Sequence, residues 1–427
     1  MATPLVVSIA MGYGHLRAAH ALADALGTEV LETDRPPLAD EEEQRLCAAS
    51  RHLYELASRV SQVPVVGAPL ARLLDAVTAI PHLHPRRDLS PPDHATRLLG
   101  RLIDRGLGRG LAAHLMATGR PLLTSYFVPA LAADAHLPAA GAPPVWCVVT
   151  DADVARAWVP REPEATRVRY LVPSHRALRR LRAYGVPRER IEMTGFPLPG
   201  ELLGDTGLEA LRGALAGRLV RLDPGGGFRT AIRREIETFL GPLPTEEEGR
   251  PPHLVYAVGG AGAQAEVARY LLPSLAPWLR AGRVRLTLVA GIRTEVAARF
   301  TAWIDEAALA GRVDVLHEAE IAAYFRRFNR LLAGADVLWT KPSELTFYAA
   351  LGLPLVFTRP VGVHEHYNRR WAIESGAGLK GRDLRFAGDW LDEWLADGTL
   401  AAAAWSGFVR LPKYGLHQVV ERTTAPF

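Results

Sequence analysis

The sequence predicts an α/β protein of two consecutive domains, each with a parallel sheet covered by helices. Short apolar runs alternate with amphipathic helical stretches along most of the 427 residues. Two such series each open with a strand, a glycine turn and a helix, and a polar, glycine-rich stretch separates them. The length suits two or three domains with cores of their own.

The first series opens with an apolar strand at Leu5 to Ala10, a turn containing Gly12 and Gly14, and a helix from about Leu16 to Leu26. Its later strands are nearly continuous apolar runs, which is typical of a parallel sheet buried on both faces. They are predicted at Glu29 to Thr33, Pro121 to Phe127, Val145 to Thr150 and Arg169 to Val172.

The second series repeats this order with a strand at His253 to Val258, a glycine turn at Gly259 to Gly262 and a helix at Ala265 to Trp278. Its later strands are predicted at Val284 to Ala290, Val313 to Leu316, Asp336 to Thr340 and Pro354 to Phe357. We therefore expect an N-terminal domain over 1–199, a linker or insertion over 200–252, a C-terminal domain over 253–400, and a segment 401–427 that packs back towards the N-terminal domain.

Composition excludes several protein classes. With 48% hydrophobic and 22% charged residues, the chain is neither disordered nor collagen-like nor a coiled coil. No apolar run reaches the roughly 18 residues that span a bilayer, and the start lacks a basic region, which favours a cytoplasmic protein. Cys47 and Cys147 have no partner spacing, so neither a disulfide framework nor a cysteine zinc site is expected.

Arginine supplies nearly all of the positive charge. Only Lys341, Lys380 and Lys413 are lysines, and Asn329 and Asn368 are the only asparagines, which gives Lys341 and Asn368 added weight as functional candidates. The stretch 156–190 holds ten Arg and three Glu and could bind nucleic acid or anionic lipid. A solvated helix face is the favoured interpretation in so Arg-rich a chain, and no nucleic-acid partner is expected.

Both glycine turns are candidate anion sites. Free N–H groups and the helix dipole favour anions at the carboxyl edge of a parallel sheet, and glycine lets a phosphate approach the backbone. The turn with Gly259, Gly260 and Gly262 is the better phosphate site because it has no bulky side chain. The alternative is that these glycines merely form a tight turn between strand and helix.

Four stretches resemble the GT-B glycosyltransferases, and within them the group that contains MurG and the monogalactosyldiacylglycerol synthases. They are the glycine-His loop and helix at Gly12 to Leu26, the run from Cys147 to Pro199 with its Thr-Asp strand end and GFPLP ending, the glycine loop at Gly259, and the stretch Ala335 to Gly378. Together they cover most of the chain apart from about 200–252.

The resemblance implies a GT-B fold, with two Rossmann-like domains whose parallel sheets face a central cleft. It implies a hexosyltransferase that moves a sugar from a nucleotide-diphosphate donor, UDP-linked, to an apolar or lipid-like acceptor with inversion, without a metal and without a further cofactor. The apolar stretch Ser61 to Ile80 would line the acceptor site or rest on a membrane surface, and a buried helix explains it equally well. A peripheral position at the inner face of the membrane therefore stays open beside a cytoplasmic one.

His15 is the first candidate for the base or for a contact to an acceptor phosphate, with Gly12 and Gly14 in the acceptor loop. Asp151 matches the family's Thr-Asp and would be the base or would orient one; Asp153 is a weaker choice. The alternative for these residues is helix capping or loop hydrogen bonding. The expected donor-binding residues are Gly259, Gly260, Gly262, Gly291, Lys341, Ser343, Glu344, His364, Glu365 and Asn368.

Two positions depart from the family pattern. Ala155 stands where the synthases usually carry His, and Phe347 stands where the ribose-binding acidic residue is expected, with Glu344 as a substitute one turn earlier. These departures leave open an epimerase or phosphorylase on the same fold, or a nucleotide-binding protein without catalysis. The alternating pairs His364/His366 and His82/His84 lack a third ligand at a recognised spacing and are interpreted as loop residues, not a metal site.

Overall fold

The computed structural model describes residues 2–9, 12–45, 47, 80–244, 250–260, 262–360 and 362–425. The chain divides into two compact units. Unit 1 contains residues 1–197, 362–367 and 414–427, and unit 2 contains residues 198–361 and 368–413. Each unit has a six-stranded sheet in which all strand pairs are parallel, which confirms the predicted α/β class.

The sheet of unit 1 has the strand order β2-β1-β3-β4-β5-β6. Its strands are β1 (Leu5–Ser8), β2 (Val30–Glu32), β3 (Leu122–Thr124), β4 (Val145–Val148), β5 (Arg169–Val172) and β6 (Ile191–Met193). The described helices of this unit are α1 (Tyr13–Leu26), α2 (His94–Asp104), α3 (Arg109–Thr118), α4 (Phe127–His136) and α5 (His175–Ala183), with α16 (Gly415–Thr424) near the C terminus.

The strands β1, β3 and β4 of unit 1 are buried because helices cover the sheet. Val7, Leu122 and Cys147 are almost fully buried within one continuous apolar cluster. Burial raises the pKa of the Cys147 thiol, so this cysteine stays protonated and serves the core as a small apolar side chain.

The helix α16 belongs to this unit although it lies far along the chain from β6. Gly415 lies so close to the Phe196 carbonyl oxygen that an added Cβ would approach it to 2.2 Å. Arg422 forms a 2.9 Å ion pair with Glu192.

The sheet of unit 2 has the strand order β12-β11-β10-β7-β8-β9. Its strands are β7 (His253–Ala257), β8 (Arg285–Gly291), β9 (Val313–His317), β10 (Val337–Thr340), β11 (Leu355–Phe357) and β12 (Gly378–Lys380). The helices that complete this part of the chain are α10 (Val267–Arg280), α11 (Thr294–Glu306), α12 (Ile321–Ala333), α13 (Val363–Glu374), α14 (Ala387–Ala396) and α15 (Thr399–Arg410).

The segment 200–252, interpreted from sequence as a linker or insertion, is grouped with unit 2. It carries α6 (Gly200–Leu203), α7 (Glu209–Arg221), α8 (Gly227–Ala231) and α9 (Arg233–Leu240). On α7, the fully buried Arg218 donates hydrogen bonds to the carbonyl oxygens of Ala335, Leu351 and Gly352. Burial lowers the pKa of Arg218 to about 10, and its hydrogen bonds fix α7 against β10 and the turn before β11.

Each sheet reverses its strand order at one place. In unit 1 the chain proceeds outwards through β1 and β2 and then through β3 to β6 on the other side, so the reversal lies between β1 and β3. In unit 2 it lies between β7 and β10. In open α/β sheets, ligands bind outside the carboxyl ends of the strands at such a point.

Candidate functional sites

The first candidate site lies at the strand reversal of unit 1. The helix α1 begins at Tyr13, so Gly14 and His15 lie in its first turn and not in the preceding loop, as the sequence suggested. Gly12 precedes the helix with φ 99°, a conformation that favours glycine. The earlier start therefore places His15 on the helix that follows β1.

His15 is oriented by residues that follow β3, the neighbour of β1 in the sheet, and β4, the strand beyond it. Its Nδ1 lies 2.7 Å from the carbonyl oxygen of Ser125, after β3, and 3.2 Å from Oγ1 of Thr150, after β4. The Ser125 hydroxyl donates to the His15 carbonyl at 2.7 Å. Because a carbonyl oxygen only accepts, the neutral imidazole carries its proton on Nδ1, and Nε2 holds the lone pair that a base needs.

Aromatic rings surround the imidazole. The ring centroid of His15 lies 4.6 Å from that of Tyr126 and 6.2 Å from that of Trp158. Phe127 joins the two, at 4.6 Å from Tyr126 and 5.1 Å from Trp158. Sequence reasoning missed Ser125, Tyr126 and Phe127 because it extended the strand to Phe127, whereas β3 ends at Thr124.

The two aspartates after β4 differ in their surroundings. Asp151 is half-buried beside Thr150. Asp153 is fully buried, and its carboxylate accepts from Arg176 at 2.6 Å and from Arg180 at 2.8 Å. Burial alone would lower the pKa of Arg180, but the Asp153 carboxylate outweighs it and raises that pKa. Asp153 is therefore committed to a structural ion pair.

Many arginines of the basic stretch 156–190 form hydrogen bonds or ion pairs with other residues of unit 1. Besides the pair with Asp153, the buried Arg156 donates to the carbonyl oxygens of Ser90, Val159 and Pro160. Arg161 and Arg167 pair with the carboxylates of Asp104 and Asp134. The arginines named here thus have carbonyl or carboxylate partners within the unit.

The second candidate site lies at the strand reversal of unit 2, where the glycine turn follows β7 and Lys341 follows β10. The Lys341 side chain lies across Gly259, since a Cβ added to Gly259 would meet Lys341 Cε at 2.4 Å. Gly262 has φ 71°, and a Cβ there would lie 2.9 Å from Val296. The turn therefore needs glycine at both positions, for a close approach at Gly259 and for backbone conformation at Gly262.

A second cation that the sequence analysis missed reaches the same turn. Arg293 follows Gly291 at the end of β8, and its Nε donates to the Gly260 carbonyl oxygen at 2.9 Å. Lys341 and Arg293 thus contact neighbouring glycines from the strands on either side of β7. The sequence could have indicated Arg293, because it lies just after β8, and β8 is the next strand along the chain after β7 and the glycine turn.

Gln264 ties the turn to the loop after β11. It has a positive φ of 68°, which is unusual for a residue other than glycine. Its side chain donates to the Arg359 carbonyl oxygen at 2.5 Å and accepts from the Thr358 hydroxyl, while its own carbonyl accepts from Tyr256. Because β10 lies between β7 and β11, this connection passes over the end of β10, where Lys341 is located.

The residues after Lys341 form a 3-10 helix over Glu344–Leu351. Ser343 is half-buried and Glu344 is buried. The Phe347 ring packs on Trp371 at 5.1 Å, so apolar packing occupies the position where the resemblance led us to expect an acidic residue. Asn368 is fully buried and donates to the Pro342 carbonyl oxygen at 3.2 Å, which links its helix to the Lys341 loop.

His364 and Glu365 lie in the first turn of α13, and the boundary between the units falls within this helix, after Tyr367. Glu365 is buried, whereas His364 and His366 are exposed. Within the described ranges no group of three or more His, Cys, Asp or Glu side chains could hold a metal ion.

The predicted apolar stretch Ser61 to Ile80 lies outside the described residues except for Ile80. Ile80 is buried, and its carbonyl oxygen accepts from the Tyr367 hydroxyl at 3.0 Å. In the part of the chain that the structure covers, none of the helices combines the length and the apolar character needed to cross a bilayer.

Comparisons with known proteins give distant similarities. A family described as a domain of unknown function, DUF6938, matches residues 295–403, about a quarter of the chain. No curated protein matches.

Solved structures align over nearly the whole chain at low identity. MurG of Acinetobacter baumannii is 14% identical over 99% of both chains with a TM-score of 0.48. The UDP complex of Staphylococcus aureus MnaA is 10% identical, with 97% and 94% coverage of this chain and that one and a TM-score of 0.47. SnogD of Streptomyces nogalater is 13% identical, with 99% and 100% coverage and a TM-score of 0.44. The fold assignment rests on the two sheets themselves.

Proposed function

We propose that this chain is a GT-B glycosyltransferase that transfers a hexose from a UDP-linked donor to the hydroxyl of an apolar acceptor, with inversion. The observation that carries the proposal is the glycine turn at the strand reversal of unit 2, contacted by Lys341 at Gly259 and by Arg293 at Gly260. Two cationic side chains beside a glycine turn suit a diphosphate ligand. Because they are in position before the reaction, they can also stabilise the diphosphate as it leaves the sugar.

In the proposed reaction, the acceptor oxygen attacks the anomeric carbon of the sugar while the bond from that carbon to the diphosphate oxygen breaks. His15 takes the acceptor proton on Nε2, because Nδ1 is held by the Ser125 carbonyl. Lys341 and Arg293 balance the negative charge that the diphosphate gains. Ser343 lies two residues after Lys341, and Asn368 donates to the carbonyl oxygen of the intervening Pro342. In this proposal both residues complete the donor site.

The proposed donor site is tested by a thermal-shift panel of UDP, GDP, ADP, TDP and their sugars. A ligand that binds only the native state stabilises it by about 2.7 kcal/mol at a hundred times its Kd. UDP and a UDP-sugar are expected to give the largest shifts. If none of these diphosphates shifts the melting temperature, the proposed function is wrong.

The contribution of the cation is tested by Lys341→Met with Lys380→Met as the matched control. Lys380 is exposed and also ends a strand of the same sheet, at β12. A charge-assisted hydrogen bond contributes about 1.5–3 kcal/mol, so Lys341→Met should weaken UDP binding by roughly 10- to 100-fold in calorimetry. Equal affinities of the two variants would remove Lys341 from the site.

A second candidate function is nucleotide binding without transfer, which Phe347 and Ala155 favour. Phe347 packs on Trp371 and supplies no carboxylate for a ribose, and Ala155 supplies no imidazole. UDP release from a UDP-sugar supports catalysis, whereas an epimerised sugar nucleotide with no acceptor consumed supports an epimerase. Binding without either product supports the second candidate.

A further inference from the structure

A cavity of about 470 Å³ lies in unit 1, away from the strand reversal that holds His15. It is open to solvent on one side and is lined by α2, α4 and the segment 159–167. A space of this size falls within the range of small-molecule sites, about 300–1,000 Å³.

The inner wall of the cavity is apolar. It is formed by aliphatic side chains that are buried or half-buried, namely Leu99, Ile103, Leu131, Leu137 and Val159. Water makes few hydrogen bonds to this wall, so an apolar molecule that covers the wall gains free energy.

Two carboxylates of the lining, Asp104 and Asp134, are paired with other lining residues. Asp104 forms a 2.9 Å ion pair with Arg161. Asp134 accepts from the Thr166 hydroxyl at 2.7 Å and from the Arg167 amide at 3.0 Å. With Glu162 at the rim, the lining has three carboxylates and two guanidinium groups, a net charge of −1. This arrangement offers no unpaired cation to an anionic ligand.

A glycine inside α2 permits this arrangement. Gly100 lies within α2, and a Cβ there would collide with the Arg161 guanidinium group. Glycine in a helix costs about 1 kcal/mol relative to alanine. At this position it lets Arg161 lie across the helix and reach Asp104, which closes one side of the cavity with a paired ion.

We propose that this cavity is a binding site for an uncharged, largely aliphatic small molecule. The aliphatic wall provides the affinity, and the paired charges at the rim reject an anionic head group. The site is separate from the nucleotide site in unit 2, so the proposal does not depend on the proposed function.

The test uses the full chain and the neutral fluorophore N-phenyl-1-naphthylamine as the probe. Its fluorescence is expected to rise to saturation with one site per chain. 1-Octanol is expected to displace it, whereas octanoate at pH 8 should need about tenfold more, because its carboxylate meets the net negative rim. Absence of saturable binding, or stronger displacement by octanoate, would overturn the proposal.

Two variants of α2 locate the probe. Leu99→Trp fills the cavity and should reduce probe binding by at least about tenfold. Leu98→Trp is the matched control, because Leu98 is 55% exposed and does not line the cavity. Wild-type binding by Leu99→Trp, or an equal loss in both variants, would contradict the assignment. If Leu99→Trp does not fold, Ala135→Trp, at an exposed lining position, takes its place with the same expected loss.

Discussion

At the scale of single residues, the state of His15 follows from one contact. The Ser125 carbonyl holds the Nδ1 proton, so Nε2 is the basic atom. The sequence predicted the residue but not the contact, because Ser125 is 110 positions away and only the order β1-β3 brings it to His15. The role of His15 as the base stays a prediction.

We expect His15→Ala to slow the release of UDP from a UDP-sugar by roughly 10²- to 10⁴-fold, the usual contribution of a positioned general base. The thermal shift given by UDP should stay unchanged, because His15 is expected to act on the acceptor. Thr150→Val, which keeps the Ser125 carbonyl contact, should retain most of the activity. Equal rates of UDP release by His15→Ala and the wild type would exclude a catalytic role.

The burial of His253 leads us to expect that the stability of the protein depends on pH. It is buried at the start of β7, and its Nε2 lies 2.8 Å from Thr287 Oγ1. Burial, assisted by Arg285, lowers its pKa below the ordinary value of about 6.5, although Asp336 opposes this. Above about pH 6.5 the imidazole is neutral in both states, so its contribution is complete there.

As the pH falls below about 6.5, the unfolded chain takes up a proton that the folded state resists, and stability is lost down to the folded pKa. We expect the free energy of unfolding of His253→Gln to fall less steeply with decreasing pH than that of the wild type. For one proton the difference in slope is at most about 1.4 kcal/mol per pH unit. Denaturant unfolding of both proteins at pH 8, 6.5 and 5 measures it. Parallel curves for the two proteins would assign the acid loss to other groups.

At the scale of elements, the turn after β7 depends on Gln264. The sequence predicted the strand, the glycine turn and the helix, but it placed the helix start at Ala265, whereas α10 begins at Val267. The extra residues form the turn in which Gln264 adopts φ 68° and contacts Thr358 and Arg359. Local patterns could not predict this, because its partners lie 94 and 95 positions further along the chain.

Replacing Gln264 separates its strain from its contacts. Gln264→Gly removes both, whereas Gln264→Ala keeps the positive φ, which costs an alanine roughly 1–2 kcal/mol. We expect the glycine variant to be the more stable of the two by calorimetry, and both to bind UDP more weakly because the turn loses its link to β11.

The matched control is Ala308→Gly, since Ala308 has φ 53° far along the chain from the turn. Ala308→Gly should become more stable because glycine adopts a positive φ without steric cost, and its UDP affinity should not change. Wild-type UDP affinity in both Gln264 variants would show that the turn does not need this link.

At the scale of the whole molecule, the chain passes between the units at 197/198, 361/362, 367/368 and 413/414. The sequence predicted two α/β series because strands, turns and helices follow from the pattern of apolar residues and glycines over short stretches of the chain. The expected return of segment 401–427 to the N-terminal domain rested on no local pattern, since α16 looks like any amphipathic helix, and the part grouped with unit 1 is 414–427. Val419 is fully buried on this helix, which packs against α1 at the other end of the chain.

We therefore expect Val419→Ala to destabilise unit 1 by about 1.5–3 kcal/mol, the value of a fully buried valine side chain. Glu421→Ala, two residues later on an exposed face, should change stability by less than about 0.5 kcal/mol. Because α16 belongs to unit 1 and the proposed nucleotide site to unit 2, UDP affinity of folded Val419→Ala should equal that of the wild type. Hydrogen exchange measures the effect, with faster exchange expected in β1 and β6 than in β7 and β10. Faster exchange in all four strands alike would mean that the two units unfold together.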